Sequence, residues 1–574
     1  MKTSTRAALA AALTLLLPVA TAYPQNEAFS ESIEVQQVLV DVVVQDRSGD
    51  PILNLEAADF QIFEDGKPVA LTGFTPPSGI RSLETRGARP LDPLPGEALS
   101  ETPARTVVFI DALFLKPHNR KKVLKQVKRT LLADLQPNEE VMLVRWDGNL
   151  RMIQDFTRDR RVIADAFESE IASKDFPAMA AMNDTDKIIG LLDQRFFTET
   201  TGRRTSGDPC VDSGMIARGH ARSVHHRVMN SVAGLYEAVS TLASYEGRKA
   251  LLHVSDGIPL VPGADAFLYA ASLCDGTNQR TSTGPGVDTS YFGSGKRTRW
   301  DPTTARSEMN EYDTTKDWSR VADHANAYRI ALYTLKATGL TGTRSSSLSG
   351  ENSRVFHAVE FEMNAGDRDA LALLSARTGG RAVLDTNRFD LAFEQMRSDY
   401  RNSYLLAYDP PEAEHNRLRE IRVEVDRPGA RLLHRTGYRS KPQAERIADG
   451  LLSTIRLGTG DNELGVALLA GEEGEATPGF RSLKIVVPLS ELTLVPDEHR
   501  QRALFSVYVM SANKAGATTR VRYKVIPVDV DDPDRDFTYE VLIPALSQPQ
   551  SFAVAVRDEL GGETAFVRTG HESG

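Results

Sequence analysis

Two aspartates stand where short apolar segments of the sequence end, and both could serve as metal ligands. Asp111 closes the run Phe109-Ile110-Asp111, and Asp256 lies in His253-Val254-Ser255-Asp256-Gly257. If both segments are strands of one open α/β sheet, their carboxyl ends meet at the crevice where such sheets bind ligands. Carboxylate oxygens suit a hard divalent cation such as Mg²⁺. The alternative is that Asp111 and Asp256 cap helices or fix loops at the strand ends.

Other candidate sites lack part of the pattern that their chemistry requires. His220, His225 and His226 have no Cys or carboxylate at a spacing that would complete a zinc site. Gly293-Ser294-Gly295-Lys296 lacks the earlier glycine and the following Ser or Thr of a phosphate-binding loop. The sequence also has no G-x-S-x-G nucleophile elbow. We therefore expect a protein that is not an enzyme, with a hydrolase using the Asp111/Asp256 cleft as the less favoured alternative.

The elements that must position Asp111 and Asp256 form a long alternating region, residues 105–408. Short β-branched and apolar runs alternate there with segments whose apolar residues recur at helical spacing. Such alternation predicts a parallel sheet covered by helices on both faces. Three polar segments, 199–221, 275–305 and 338–354, interrupt the region and are predicted to be loop insertions.

The flanking regions are rich in strand patterns. Residues 33–75 predict an N-terminal β module, followed by a Pro- and Gly-rich linker at 76–104. Residues 418–440 predict a β-hairpin extension, and 451–574 a C-terminal β domain. The predicted fold is therefore multidomain, with a central doubly wound, Rossmann-type α/β domain between two β-sandwich-like modules.

The order of these pieces resembles a von Willebrand factor A domain, in particular the related proteins common in acidobacteria. The resemblance rests on a strand ending in Asp, an amphipathic helix and the later Ser-Asp-Gly. It also rests on the upstream motif Asp59-Phe60-Gln61-Ile62-Phe63-Glu64-Asp65-Gly66, on Thr378-Gly379-Gly380, on the strand from Tyr404 to Tyr408, and on Arg435-Thr436-Gly437-Tyr438. It covers roughly residues 33–440.

The resemblance implies a protein-binding or adhesion-type module, but the metal site of the family is degenerate here. The family pattern D-x-S-x-S would place serines at Leu113 and Leu115, and its threonine falls near Ala233. Only Asp111 and Asp256 remain of that ligand set. The resemblance thus implies that no cofactor is required, with Mg²⁺ or another divalent cation as the one candidate. A structural role in an envelope assembly is the alternative function.

The N-terminus has the pattern of a secretory signal peptide. Lys2 and Arg6 precede an apolar run at 7–20, and Ala20-Thr21-Ala22 predicts cleavage after Ala22. The alternative is a membrane anchor, although the run is shorter than a bilayer span requires. The expected location is periplasmic or extracellular, without an integral membrane span. A net charge of -10 argues against a nucleic-acid partner, so an unidentified protein is the expected partner.

The chain has two cysteines, Cys210 and Cys274, and both fall in the part predicted to be exported. Disulfides persist in oxidising compartments, so a bridge between them is predicted. The alternative is two free thiols.

Overall fold

A computed structural model describes most of the chain from residue 37 onward, and these residues belong to one compact unit. The described ranges are 37–77, 104–174, 185–200, 209–245, 247–280, 302–340, 366–411, 417–458, 460–473, 479–497, 500–513, 518–545 and 550–569. The predicted signal peptide, most of the linker 76–104, much of the insertions 275–305 and 338–354, and Gly293–Lys296 lie outside these ranges.

The described residues form strands β1 to β22 and helices α1 to α10. The strands are β1 Val38–Gln45, β2 Phe60–Glu64, β3 Lys67–Val69, β4 Leu71–Thr75, β5 Ala104–Asp111, β6 Glu139–Trp146, β7 Leu150–Thr157, β8 Lys249–Ser255, β9 Ile330–Lys336, β10 Ala382–Val383, β11 Ser403–Tyr408, β12 Leu418–Val425, β13 Arg431–Leu433, β14 Gly437–Arg439, β15 Ala467–Glu473, β16 Phe480–Pro488, β17 Val495–Asp497, β18 Arg500–Asn513, β19 Arg522–Val530, β20 Asp536–Pro544, β21 Gln550–Asp558 and β22 Thr564–Arg568. The helices are α1 Pro117–Ala133, α2 Arg160–Ala172, α3 Thr185–Thr200, α4 Pro209–Thr241, α5 Ala264–Arg280, α6 Pro302–Asn310, α7 Thr315–Ala327, α8 366–378, α9 Leu391–Arg401 and α10 Gln443–Leu457.

The central sheet is mixed but mostly parallel, with strand order β10-β9-β8-β5-β6-β7. All neighbours pair in parallel except β6 and β7, which pair antiparallel. The reason is the short turn at 147–149, since a parallel connection needs a crossover of a dozen or more residues. The chain therefore has the α/β architecture that its alternation predicted, with one antiparallel edge strand.

Helices cover both faces of this sheet, and alternate side chains of β5 pack against them on each side. Val107 and Phe109 belong to a core shared with α4, α7 and α8, whereas Val108 and Ile110 belong to a core shared with α1, α2 and α9. Helix α4 comes very close to the sheet at Gly234, where a Cβ atom would lie 2.2 Å from the Trp146 ring. A glycine is therefore required at that crossing.

The N-terminal β module is completed by strands from the far side of the α/β region. Strand β11 lies in the region predicted as the α/β domain, but it pairs with β1, from Val38 opposite Tyr408 to Val43 opposite Ser403, and with β4. The sheets β13-β1-β11-β4 and β14-β12-β2-β3 enclose one hydrophobic cluster. The hairpin extension predicted at 418–440 is part of the same unit, so the α/β region is inserted into this β module.

A buried carboxylate, Glu64, joins the two sheets of that module. Its oxygens accept hydrogen bonds from Arg419 at 2.5 Å, from the Tyr408 hydroxyl at 2.7 Å and from the Tyr438 hydroxyl at 2.9 Å. Burial, together with the nearby carboxylate, raises the pKa of both tyrosines, so they remain hydrogen-bond donors. Glu64 and Tyr438 both belong to the motifs that carried the family resemblance, and in this chain they are structural.

The motif Thr378-Gly379-Gly380 is structural as well. The Thr378 hydroxyl donates to Leu374 at the end of α8 and accepts the N–H of Leu332 in β9 at 2.9 Å. A Cβ atom at Gly380 would lie 2.0 Å from the Leu332 carbonyl oxygen. The motif thus ends α8 and allows the chain to lie directly against β9.

The C-terminal region contains two further sheets and one helix. The sheets β15-β16-β20 and β17-β18-β21-β22, the second extended by β19, share one hydrophobic cluster. The boundary predicted at 451 falls inside α10, whose residues Ile447 and Leu451 pack on β18, β21 and β22.

None of the described helices combines the length and apolar character that a bilayer span requires.

Part of the predicted insertions is helical. Residues 209–221, predicted as a loop, form the first turns of α4, and Ala217 and Ala221 pack with α3, α5 and α6. We call α3, α5, α6 and this half of α4 the helical layer. The loop after β8 leads directly into α5, and Gly263 lies against Ala221, so the layer stands at the carboxyl edge of the central sheet.

The predicted disulfide is present in the helical layer. Cys210 at the start of α4 and Cys274 in α5 are both buried and bonded, with Cα atoms 5.7 Å apart. The disulfide joins residues separated by 64 positions in the sequence. In the chain-entropy model, closing a loop of that length stabilises the folded protein by about 4 kcal/mol.

We expect the unfolded, unreduced protein to take up no alkylating agent at either cysteine. After reduction both cysteines should be alkylated, which mass spectrometry detects. Two additions before reduction would show that the thiols are free.

Candidate functional site

The candidate site lies where the strand order of the central sheet reverses, between β5 and β8. Asp111 is the last residue of β5, and Asp256 directly follows β8. Both therefore stand at the carboxyl edge, at the topological switch point where doubly wound sheets bind ligands. The position predicted from the sequence is correct for both residues.

The Asp111 carboxylate is fully buried and receives donors from the protein itself. The Leu113 N–H donates to Oδ1 at 3.1 Å, and the Ser231 hydroxyl of α4 donates to Oδ2. His253 Nε2 lies 3.4 Å from the same Oδ2. Three separate elements thus satisfy this carboxylate.

A buried guanidinium, Arg227, lies within the electrostatic reach of Asp111. It is stacked over the Phe114 ring, with its central carbon 4.7 Å from the ring centroid. Burial lowers the pKa of Arg227 to about 10, while the carboxylates of Asp111 and Asp367 favour its charged form. Arg227 is therefore protonated at neutral pH, and it supplies a positive charge at the end of β5.

The two leucines at the family's serine positions are core residues. Leu113 packs in the hydrophobic cluster on one face of the sheet, and Leu115 in the cluster on the other face. Neither side chain has a lone pair that could bind a cation. Both side chains therefore stabilise the packing of the loop between β5 and α1.

Asp256 braces the start of α1. Its carboxylate accepts the Lys116 N–H at 2.6 Å and the Asn119 side-chain amide at 2.7 Å, and its own N–H donates to the Phe114 carbonyl at 2.6 Å. Burial raises the pKa of Asp256, and these hydrogen bonds oppose that shift. Asp256 thus fixes the loop between β5 and α1, which is part of the alternative to metal binding that the sequence left open.

The carboxylates at this edge do not form a set of ligands that fits a divalent cation. Asp111 and Asp256 have no hydrogen-bond donor in common in the described parts of the chain. Within those parts, no three or more His, Cys, Asp or Glu side chains are grouped so that they could hold a metal ion. The positive charge of Arg227, within electrostatic reach of Asp111, opposes a cation there by like-charge repulsion.

Neighbouring charges at the same edge are also paired within the protein. Lys336, at the end of β9, is buried and lies 3.4 Å from Asp385, and Arg368 contacts the same carboxylate at 2.7 Å. The central sheet therefore presents an edge whose charged groups are largely compensated by protein partners.

The structure separates the residues that the sequence grouped. His220 is buried and lies 3.6 Å from Asp265, and His226 contacts Asn230. Ala233, the predicted equivalent of the family threonine, is exposed.

Neither Arg227 nor Ser231 was predicted from the sequence as part of the site. They belong to the buried stripe of α4 that also contains Val224, Val228 and Leu235. Polar residues at helical spacing within an apolar stripe were the available signal.

Comparisons with known proteins give only distant structural likeness. No protein-family profile matches the chain, and no curated protein matches it. Similar solved structures include an aerotolerance-related membrane protein from Bacteroides fragilis, 10% identical, covering 52% of this chain and 98% of that one, with a TM-score of 0.21.

Two further similar structures are von Willebrand factor domains. That of the type V pili tip protein Mfa5 from Porphyromonas gingivalis is 11% identical, covers 52% of this chain and 94% of that one, and has a TM-score of 0.23. A von Willebrand factor type A protein from Catenulispora acidiphila is 9% identical. It covers 60% of this chain and 68% of that one, and its TM-score is also 0.23. The α/β fold class follows from the chain's own strand order and helix placement.

Proposed function

We propose that this chain is an exported protein-binding module whose central domain is von Willebrand A-like and works without a divalent cation. One observation carries the proposal: the carboxylate at the switch point, Asp111, accepts hydrogen bonds from the Leu113 N–H and the Ser231 hydroxyl, with His253 Nε2 at 3.4 Å and the charged Arg227 within electrostatic reach. The flanking sheets act as β-sandwich-like modules, related to those of the acidobacterial proteins that the motifs resemble. Export rests on the N-terminal pattern that ends at Ala22.

Binding, rather than catalysis, is favoured by the chemistry of the edge. A hydrolase using the Asp111/Asp256 cleft would need a general base or nucleophile free to act. Both carboxylates are instead occupied by backbone and side-chain donors of this chain. The proposed role of the site is to hold the β5–α1 loop and α4 in one arrangement, which gives the partner a rigid surface.

Large apolar side chains are exposed on elements of this edge. Leu340 follows β9 and is 67% exposed, and Met215 of the helical layer is 54% exposed. We take these two side chains as candidate anchors for a protein partner. They provide recognition that needs no metal.

Site-specific photo-crosslinking in the producing cells tests this proposal. A photoreactive amino acid would replace Leu340 or Met215, and, as a matched control, Leu469 of β15, which is 58% exposed. We expect the two edge positions to yield the same protein adduct and Leu469 to yield none. Adducts of equal strength at all positions would favour a structural role in an envelope assembly. The absence of any adduct at the edge would contradict the proposal.

A further inference from the structure

A second concave site lies on the helical face of the α/β domain. Helices α4, α7 and α10 line a groove of about 580 Å³. Its apolar floor includes Val232, Val321 and Leu452. This volume lies within the range of pockets that bind small organic ligands.

An aromatic platform stands in this groove. The Tyr236 ring is stacked on His324, with centroids 3.9 Å apart and an angle of 5° between the planes. His324 is held by the Ser240 hydroxyl at 2.8 Å and by the edge of Tyr328. Tyr236 remains 44% exposed. Because His324 covers one face of the ring, the exposed area lies on its opposite face and its edges.

The charges around the platform are balanced. Asp317 pairs with Arg320 at 3.1 Å, and Asp449 pairs with Lys441 at 2.6 Å. Burial lowers the pKa of His324 to about 4, so the imidazole is neutral at physiological pH. The groove therefore offers no net field that would select a strongly charged ligand.

Two further charged side chains line the groove, Glu237 of α4 and Arg456 of α10. A carboxylate accepts hydrogen bonds and a guanidinium donates them, whereas the Ser240 and Ser453 hydroxyls already bond within the chain. Such a mixed lining suits a ligand with many hydroxyl groups. The exposed ring face suits the apolar C–H face of a sugar ring, which stacks on it by burying apolar area.

We propose that the groove between α4, α7 and α10 binds a short neutral oligosaccharide, with Tyr236 as the stacking platform. Glu237 and Arg456 bind the hydroxyl groups of the sugar that lies on the ring. This site is separate from the carboxyl edge, because the lining parts of α4 and α7 run toward the amino ends of β8 and β9.

Saturation-transfer NMR and calorimetry on the full chain test the proposal. The probes are cellotetraose, chitotetraose and maltotetraose, with the tetrapeptide acetyl-Ala-Phe-Ala-Ala-amide as a non-sugar probe. We expect at least one tetrasaccharide to bind. Tyr236→Ala should weaken its binding about tenfold, since it removes the stacked ring. Glu237→Gln, which keeps the side-chain shape, should weaken it less.

The matched control is Tyr523→Ala, which removes a 68% exposed tyrosine on β19. It should leave binding unchanged. Binding of every variant is measured well below its own thermal midpoint, so that a loss of binding does not report unfolding. Binding of no tetrasaccharide, equal binding by Tyr236→Ala, or binding of the peptide in place of the sugars would each overturn the proposal.

Discussion

Replacing Glu64 with alanine is expected to lower the free energy of unfolding by about 3–5 kcal/mol, the usual cost of breaking a buried ion pair. The variant leaves Arg419 buried without its carboxylate and removes the acceptor of the Tyr408 and Tyr438 hydroxyls. Because Tyr408 belongs to one sheet and Arg419 to the other, the substitution weakens the contact between the two sheets. Urea unfolding measures it, and hydrogen exchange of the β2 and β12 amides locates it.

The matched control is Glu424→Ala, on β12 in the same module. Glu424 is exposed and pairs with exposed Arg422. Exposed pairs of this kind contribute about 0–1 kcal/mol. Glu64→Gln should fall between the two, since an amide oxygen still accepts from the tyrosines. Equal stability of Glu64→Ala and Glu424→Ala would show that the buried cluster contributes nothing.

Replacing Arg227 with methionine is expected to cost about 1–3 kcal/mol, because the buried Asp111 would lose a nearby positive charge. Methionine keeps much of the apolar stem that packs on Phe114, so the loss reports mainly on the charge. Urea unfolding of the variant measures it. Arg222→Met, at an exposed position of the same helix, should change stability by no more than about 0.5 kcal/mol.

The double variant Asp111→Asn/Arg227→Met should cost less than the sum of its single substitutions, since both charges of the pair are removed together. Millimolar Mg²⁺ is expected to leave the thermal midpoint of the parent protein unchanged. A rise in that midpoint with Mg²⁺ that Asp111→Asn abolishes would show that a divalent cation binds at the end of β5.

Local sequence patterns identified most elements of the α/β region and the position of its candidate site. Asp111 and Asp256 could be placed because a carboxylate that follows an apolar run must lie at a strand end, whatever the strand pairs with. The chemistry at that edge could not be predicted, since Ser231, which donates to Asp111, and Arg227, which lies within its electrostatic reach, belong to a helix more than a hundred residues away along the chain. Only the packing of α4 on the sheet brings them there.

The sequence by itself determined the type of each long element, because periodicity records which faces of a segment are apolar. It also determined the turn at Asp65-Gly66, where both residues have positive φ as a tight hairpin requires. Tertiary structure decided which strands pair. A strand pattern such as that of β11 fits any sheet with a free edge, so its partner is chosen by the core that it completes. Here that core joins β1 to a strand that follows the whole α/β region, and Glu64 is buried where the two sheets around this core meet.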